Sequence, residues 1–134
     1  MIQLMISEAL RQKDGIFDKW KADLNRRGEA EFLPFLARTG ELDQLFQAVF
    51  HYFTDFQSKR TEQLDEQLVR LLKENWPPVF LNMALQSFRN AIAETMVDGS
   101  TEELDLPIFF KTLNEWMDAV INLISHRAAE SRNP

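Results

Sequence analysis

The chain has no cysteine among its 134 residues. That excludes a disulfide, a thiolate zinc site and a cysteine nucleophile, and it suits a reducing compartment, so the cytoplasm is the expected location. Glycine is scarce too. The four glycines are widely spaced and cannot form a loop that cradles phosphate, and none of Ser7, Ser58, Ser87, Ser100, Ser125 or Ser131 lies in a Gly-x-Ser-x-Gly context. Positive charge is in deficit, with 15 Lys and Arg against 21 Asp and Glu and a net charge of −6. Nucleic-acid affinity rests on cations that displace counterions from phosphates, so a nucleic-acid partner is not expected. Nowhere does an apolar run approach the ~18 to 20 residues that cross a bilayer, and the first ten residues lack a basic region or a cleavage site. Neither membrane insertion nor a signal peptide is expected.

What the chain does have is apolar surface: 45% of residues are hydrophobic, including 11 Phe and 3 Trp. That is enough to offset the entropy of ordering one domain, whereas two cores would leave each half marginal in size. One all-α domain over residues 1–134 is therefore expected, with about five helices in a bundle or a globin-like packing and a polar tail at 130–134. The pattern of threes and fours in Ile2, Met5, Ile6, Ala9, Leu10, Ile16, Phe17, Trp20 and Leu24 predicts one long first helix. Gly15 within it marks a kink or a close contact, and Gly28 should take a left-handed cap after Arg26 and Arg27. Residues 32–37, interrupted by Pro34, form a connector with one helical turn.

Further helices are predicted over residues 41–56, 61–74, 77–97 and 105–129. Asn75-Trp76-Pro77-Pro78 stops the third of the five and starts the fourth, because proline is excluded from a helix interior but tolerated in a first turn. Asp98-Gly99-Ser100 is a turn, and Asp105 or Thr101 caps the last helix. Two of these helices carry more apolar surface than one packing partner requires. On 41–56 the wide stripe includes Phe46, Phe50, Tyr52 and Phe53, and on the last helix it includes Phe109, Phe110, Trp116, Met117, Val120 and Ile124. Such a surplus implies a helix-mediated homodimer or an aromatic-lined cavity for a small apolar molecule, and spacing alone does not choose. If the last helix makes a dimer, Trp116→Glu or Val120→Glu should give helical monomers.

No catalytic, cofactor-binding or metal-binding residues are expected. His51 has Asp55 one turn on, which reads as a solvated histidine beside a carboxylate. His126 lies near a helix C-terminus, where its protonated form suits the dipole. The Glu-x-x-His spacing of di-iron bundles is missing, and Glu102, Glu103 and Asp105 are explained by a helix start.

Ile16-Phe17-Asp18-Lys19-Trp20, late in the first helix, resembles the Ile-Leu-x-x-Trp pattern of RsbRD-type N-terminal domains, which occur in stressosome co-antagonists and related bacterial regulators. Phe80, Leu85, Gln86, Phe88, Arg89 and Ile92 resemble that family's fourth helix, and the likeness spans roughly residues 4 to 128. It implies an all-α sensory or interaction module, similar to the non-haem globins of stressosome proteins, that dimerises and signals to an output domain or protein partner. The sequence departs from the family in joining its middle helices by Asn75-Trp76-Pro77-Pro78 where members commonly have a glycine turn. It also ends at Pro134 without an output domain, as expected of a stand-alone regulator or an excised module. Haem would need a proximal histidine on a mid-chain helix, and residues 81–97 contain none.

Overall fold

The helical periodicity is realised throughout the described part of the chain, residues 2–99 and 105–132 of a computed structural model. Its α-helices are α1 (Ile2–Arg11), α2 (Lys13–Arg27), α3 (Leu33–Leu36), α4 (Thr39–Thr54), α5 (Glu62–Lys73), α6 (Pro78–Asp98) and α7 (Leu106–Arg132). Short 3-10 turns at Ala30–Phe32 and Phe56–Ser58 precede α3 and follow α4. Seven α-helices therefore stand where about five were expected, for two reasons. The connector around Pro34 closes a full turn, and the first long helix is two.

The break falls at Gln12, not at Gly15. Gln12 leaves the helical conformation at φ −102° and ψ 15°, and its N–H is shared between the carbonyls of Glu8 and Ala9 at 3.1 and 3.2 Å. A β-carbon on Gly99 would lie 2.7 Å from Gln12 Nε2, so the bend sits against the end of α6. Gly15 is exposed, and a β-carbon added to it would meet nothing within 4 Å. It serves neither a kink nor a contact. Gly28 likewise differs from expectation, since it is extended at φ −62° and ψ 114°. Its β-carbon would fall 2.5 Å from Leu36 Cδ1, so the glycine makes room for α3 to close over the end of α2.

The end of α5 shows how the Asn-Trp-Pro-Pro segment works in place of a glycine turn. Asn75 takes the left-handed conformation at φ 67°, which asparagine tolerates better than most residues. The Asn75 N–H then bonds Leu72 O and the Trp76 N–H bonds Leu71 O, both at 3.0 Å, which is the Schellman pattern that satisfies the last carbonyls. The turn drops Trp76 into the core, with ring centroids 5.1 Å from Phe35 and 5.5 Å from Phe80, while Pro78 opens α6. At the start of α7, Asp105 Oδ1 accepts from the Ile108 N–H at 3.2 Å, as a helix cap should. Thr101, the other expected cap, lies outside the described residues. α7 runs on through Arg132, so residues 130–132 are helix and not tail.

At the centre lies α6, which buries Phe80, Leu81, Ala84, Leu85, Phe88, Ala91, Ile92 and Met96 between α2 and α7. α4 packs on α5, α5 on α7, and α1 reaches α4 and the end of α6. Ion pairs tie the rim. Arg127 of α7 grips Asp65 of α5 through Nε and one terminal nitrogen of its guanidinium, the latter at 2.7 Å, and Arg70 of α5 reaches Glu41 of α4 at 2.7 Å. No helix among the described residues is long and apolar enough to cross a membrane.

Candidate functional site

The ten aromatic and aliphatic positions singled out from the sequence come together, but inside the chain. Phe46, Phe50, Tyr52, Phe53, Phe109, Trp116, Met117, Val120 and Ile124 are all buried, and Phe110 is half-buried against Phe109. Their rings form a continuous series. Phe46 meets Trp20 of α2 at 5.5 Å, and Phe88 of α6 lies 5.7 Å from Phe46 and 5.2 Å from Trp116, with Phe53 5.6 Å from Trp116. The apolar width of α4 and α7 is thus matched by neighbours on several sides. The space remaining among Trp20, Leu45, Phe46, Val49, Ala84, Leu85 and Phe88 is about 10 Å³, no more than one water needs. An apolar small molecule has no room at that point.

One open cleft lies at the edge of this series. A cleft of about 320 Å³ opens between α1, the end of α4 and α7, lined by Met5, Ile6, Phe53, Phe56, Lys59, Thr112 and Glu115. Each element contributes a different chemistry. The break at Gln12 lets α1 lay Met5 and Ile6 along one wall. The 3-10 turn after α4 supplies Phe56, whose ring stands edge-on to Tyr52 at 5.7 Å, and ends at Lys59 in the left-handed conformation, φ 57°. Thr112 and Glu115 lie one turn apart on α7, on the side of the helix that leaves Trp116 in the core. Only Phe53 of these seven was among the expected positions. The sequence signals that could have found the others were weak: Phe56 ends the α4 stripe, Met5 and Ile6 extend that of the first helix, and Glu115 stands on a polar stripe. No local pattern indicates that α1 returns to meet them.

His51 and Asp55 share a second cleft of about 320 Å³ with Tyr52, Arg60, Glu62 and Gln63. His51 is exposed, and Asp55 Oδ2 accepts the Ser58 hydroxyl at 2.8 Å, so the carboxylate is engaged in holding the 3-10 turn. Burial pushes the Tyr52 hydroxyl up from its ordinary pKa. His126 is exposed on α7. Among the described residues no three His, Asp or Glu side chains gather as a metal site would require. Glu102 and Glu103 lie outside the described residues.

A polar cleft of about 330 Å³ between α2 and α6 is lined by Lys19, Ala22, Asp23, Arg26, Asn90, Ala91 and Glu94. Burial works to raise the pKa of Asp23, but the hydrogen bond from Arg26 and the charges of Arg27 and Arg26 outweigh it and hold the carboxyl below its ordinary value. Glu8 is also held low, chiefly by the hydrogen bond from Arg11 and then by Gln12. A carboxylate with a lowered native pKa adds stability above its unfolded pKa, and that stability is lost as pH falls through the native value. The urea midpoint is therefore expected to drop as pH is lowered below about 4. Asp23→Asn should flatten that drop, and an unchanged slope in the variant would show that Asp23 carries none of it.

Compared with known proteins, residues 9–131 match the sequence model of the family described as Rsbr N terminal. Neither the curated proteins nor the solved structures contain a match.

Proposed function

The chain belongs to the RsbR N-terminal family, and from that membership we propose that it is a non-catalytic, cytoplasmic signalling or regulatory module acting through helix-mediated dimerisation and a protein partner or joined output domain. The observation that carries this reading is the extent of the match, which runs from the end of α1 to the end of α7 and so takes in nearly the whole helical body. The family points to a sensor module of stressosome type, and a globin-like arrangement of the helices belongs to the same proposal.

Dimerisation needs an apolar surface that the single chain leaves uncovered. The sequence placed that surface on the aromatic faces of α4 and α7, which the chain itself covers. Support now comes from α1, where Leu10 is 53% exposed and Leu4 38% exposed. An amphipathic helix at one end of the chain, packed by Met5 and Ala9 and open at Leu10, is suited to pair with a second copy. Light scattering at rising concentration is expected to show a dimer. Leu10→Glu should weaken it at least about tenfold, since a charge at an apolar contact costs well over 1.4 kcal/mol. The helical circular dichroism should persist in the variant, because Leu10 lies outside the core. A chain that stays monomeric at high concentration would remove dimerisation from the proposal.

A further inference from the structure

The cleft between α1, the end of α4 and α7 combines an apolar interior with two opposite charges at its rim. Phe53, Phe56, Met5 and Ile6 form the apolar part. Lys59 and Glu115 supply the charges, both on exposed side chains, and among the described residues neither lies within 4.0 Å of an opposite charge.

Charge complementarity selects among small apolar ligands. A molecule with a carboxylate alone would satisfy Lys59 and be repelled by Glu115, and one with an ammonium alone would do the reverse. A molecule with both charges and one apolar side chain satisfies both residues and the walls. Size agrees, because about 320 Å³ is at the low end of the range for small-molecule sites. We propose that this cleft binds a free apolar α-amino acid, its carboxylate on Lys59, its ammonium on Glu115 and the Thr112 hydroxyl, and its side chain against Phe53 and Phe56.

An occupant of this cleft touches α1 and α7 at once, so it favours whichever arrangement keeps α1 docked. That gives the proposed signalling module a class of signal. The purpose of binding rests on the signalling reading, whereas the binding itself does not.

Isothermal titration calorimetry on the full chain tests the proposal with L-phenylalanine and L-leucine, and with the single-charge analogues 3-phenylpropionate and 2-phenylethylamine. The expected result is saturable 1:1 binding of at least one amino acid, tighter than either analogue by at least about tenfold. Lys59→Gln and Glu115→Gln should each weaken that binding at least about tenfold while circular dichroism stays unchanged, since both side chains are exposed. No heat with either amino acid, equal binding of an analogue, or variants that bind like the parent would overturn the proposal. A chain that dimerises yet binds neither amino acid keeps the signalling reading and loses this one. A chain that binds as a monomer keeps this one and loses the dimer.

Discussion

Trp116→Glu is expected to leave the chain unfolded, not to release helical monomers. Trp116 has no exposed surface, and its ring is enclosed by Phe53 at 5.6 Å and Phe88 at 5.2 Å, with the buried Leu113 and Val120 on its own helix. Removing an indole of this kind costs about 3–5 kcal/mol in lost transfer energy and cavity. Burying a carboxylate with no partner costs several kcal/mol more, unless it takes up a proton. Their sum matches the whole stability of an ordinary domain, about 5–15 kcal/mol. The measurement is circular dichroism at 222 nm with a urea titration, and the expected outcome is loss of the cooperative transition. A folded, helical, monomeric Trp116→Glu would place Trp116 at a subunit interface, as the sequence alone suggested, and would contradict its burial within one chain. Trp116→Phe makes a useful control. The indole Nε1 finds no acceptor among the described residues, so that variant loses ring volume and no hydrogen bond.

The same residue shows where sequence reasoning reached its limit. Periodicity located the helices because each apolar stripe repeats locally, and Pro77 and Pro78 marked the start of α6 through constraints confined to a few residues. The width of the stripes on α4 and α7 was equally legible. What the width meant was not, because it depends on how many neighbours a helix has. Phe46 turns to α2, Phe50 and Phe53 to α6, and Phe53 also to Trp116 of α7, so a face too wide for one partner is filled by several. The bend at Gln12 was hidden for a related reason. Met5 and Ala9 stay in phase with Ile16, Trp20 and Leu24, and nothing in that spacing reveals that Gln12 abuts Gly99 about ninety residues on. The cleft was legible only in fragments such as Phe53 and Phe56, since α1, α4, the 3-10 turn and α7 each contribute one or two residues from distant parts of the chain.

Trp20, by contrast, carries a signal that sequence and structure agree on, and its two truncations should separate two kinds of energy. It closes the Ile16-Phe17-Asp18-Lys19-Trp20 segment on which the family likeness first rested, and it is buried beside Ile16 and Leu24 on the face of α2 that meets α6. Unlike Trp116, its Nε1 donates to the carbonyl of Ala84 at 2.9 Å, a bond that ties α2 to the α6 it packs against. Ala84 and Ala91 on α6 are small, which lets α2 approach closely enough for the indole to reach the α6 backbone. Trp20→Ala should cost about 3–5 kcal/mol, as for any large buried aromatic. Trp20→Phe keeps most of the ring packing against Phe46 but loses the hydrogen bond, adding about 1 kcal/mol to the cost of the smaller ring. Chemical denaturation of the parent, Trp20→Phe and Trp116→Phe measures that difference directly, because both substitutions shrink a buried indole to the same phenyl and only one breaks a bond. If Trp20→Phe proves no more destabilising than Trp116→Phe, the indole at position 20 acts through its bulk alone, and the α2–α6 hydrogen bond contributes nothing measurable to the fold.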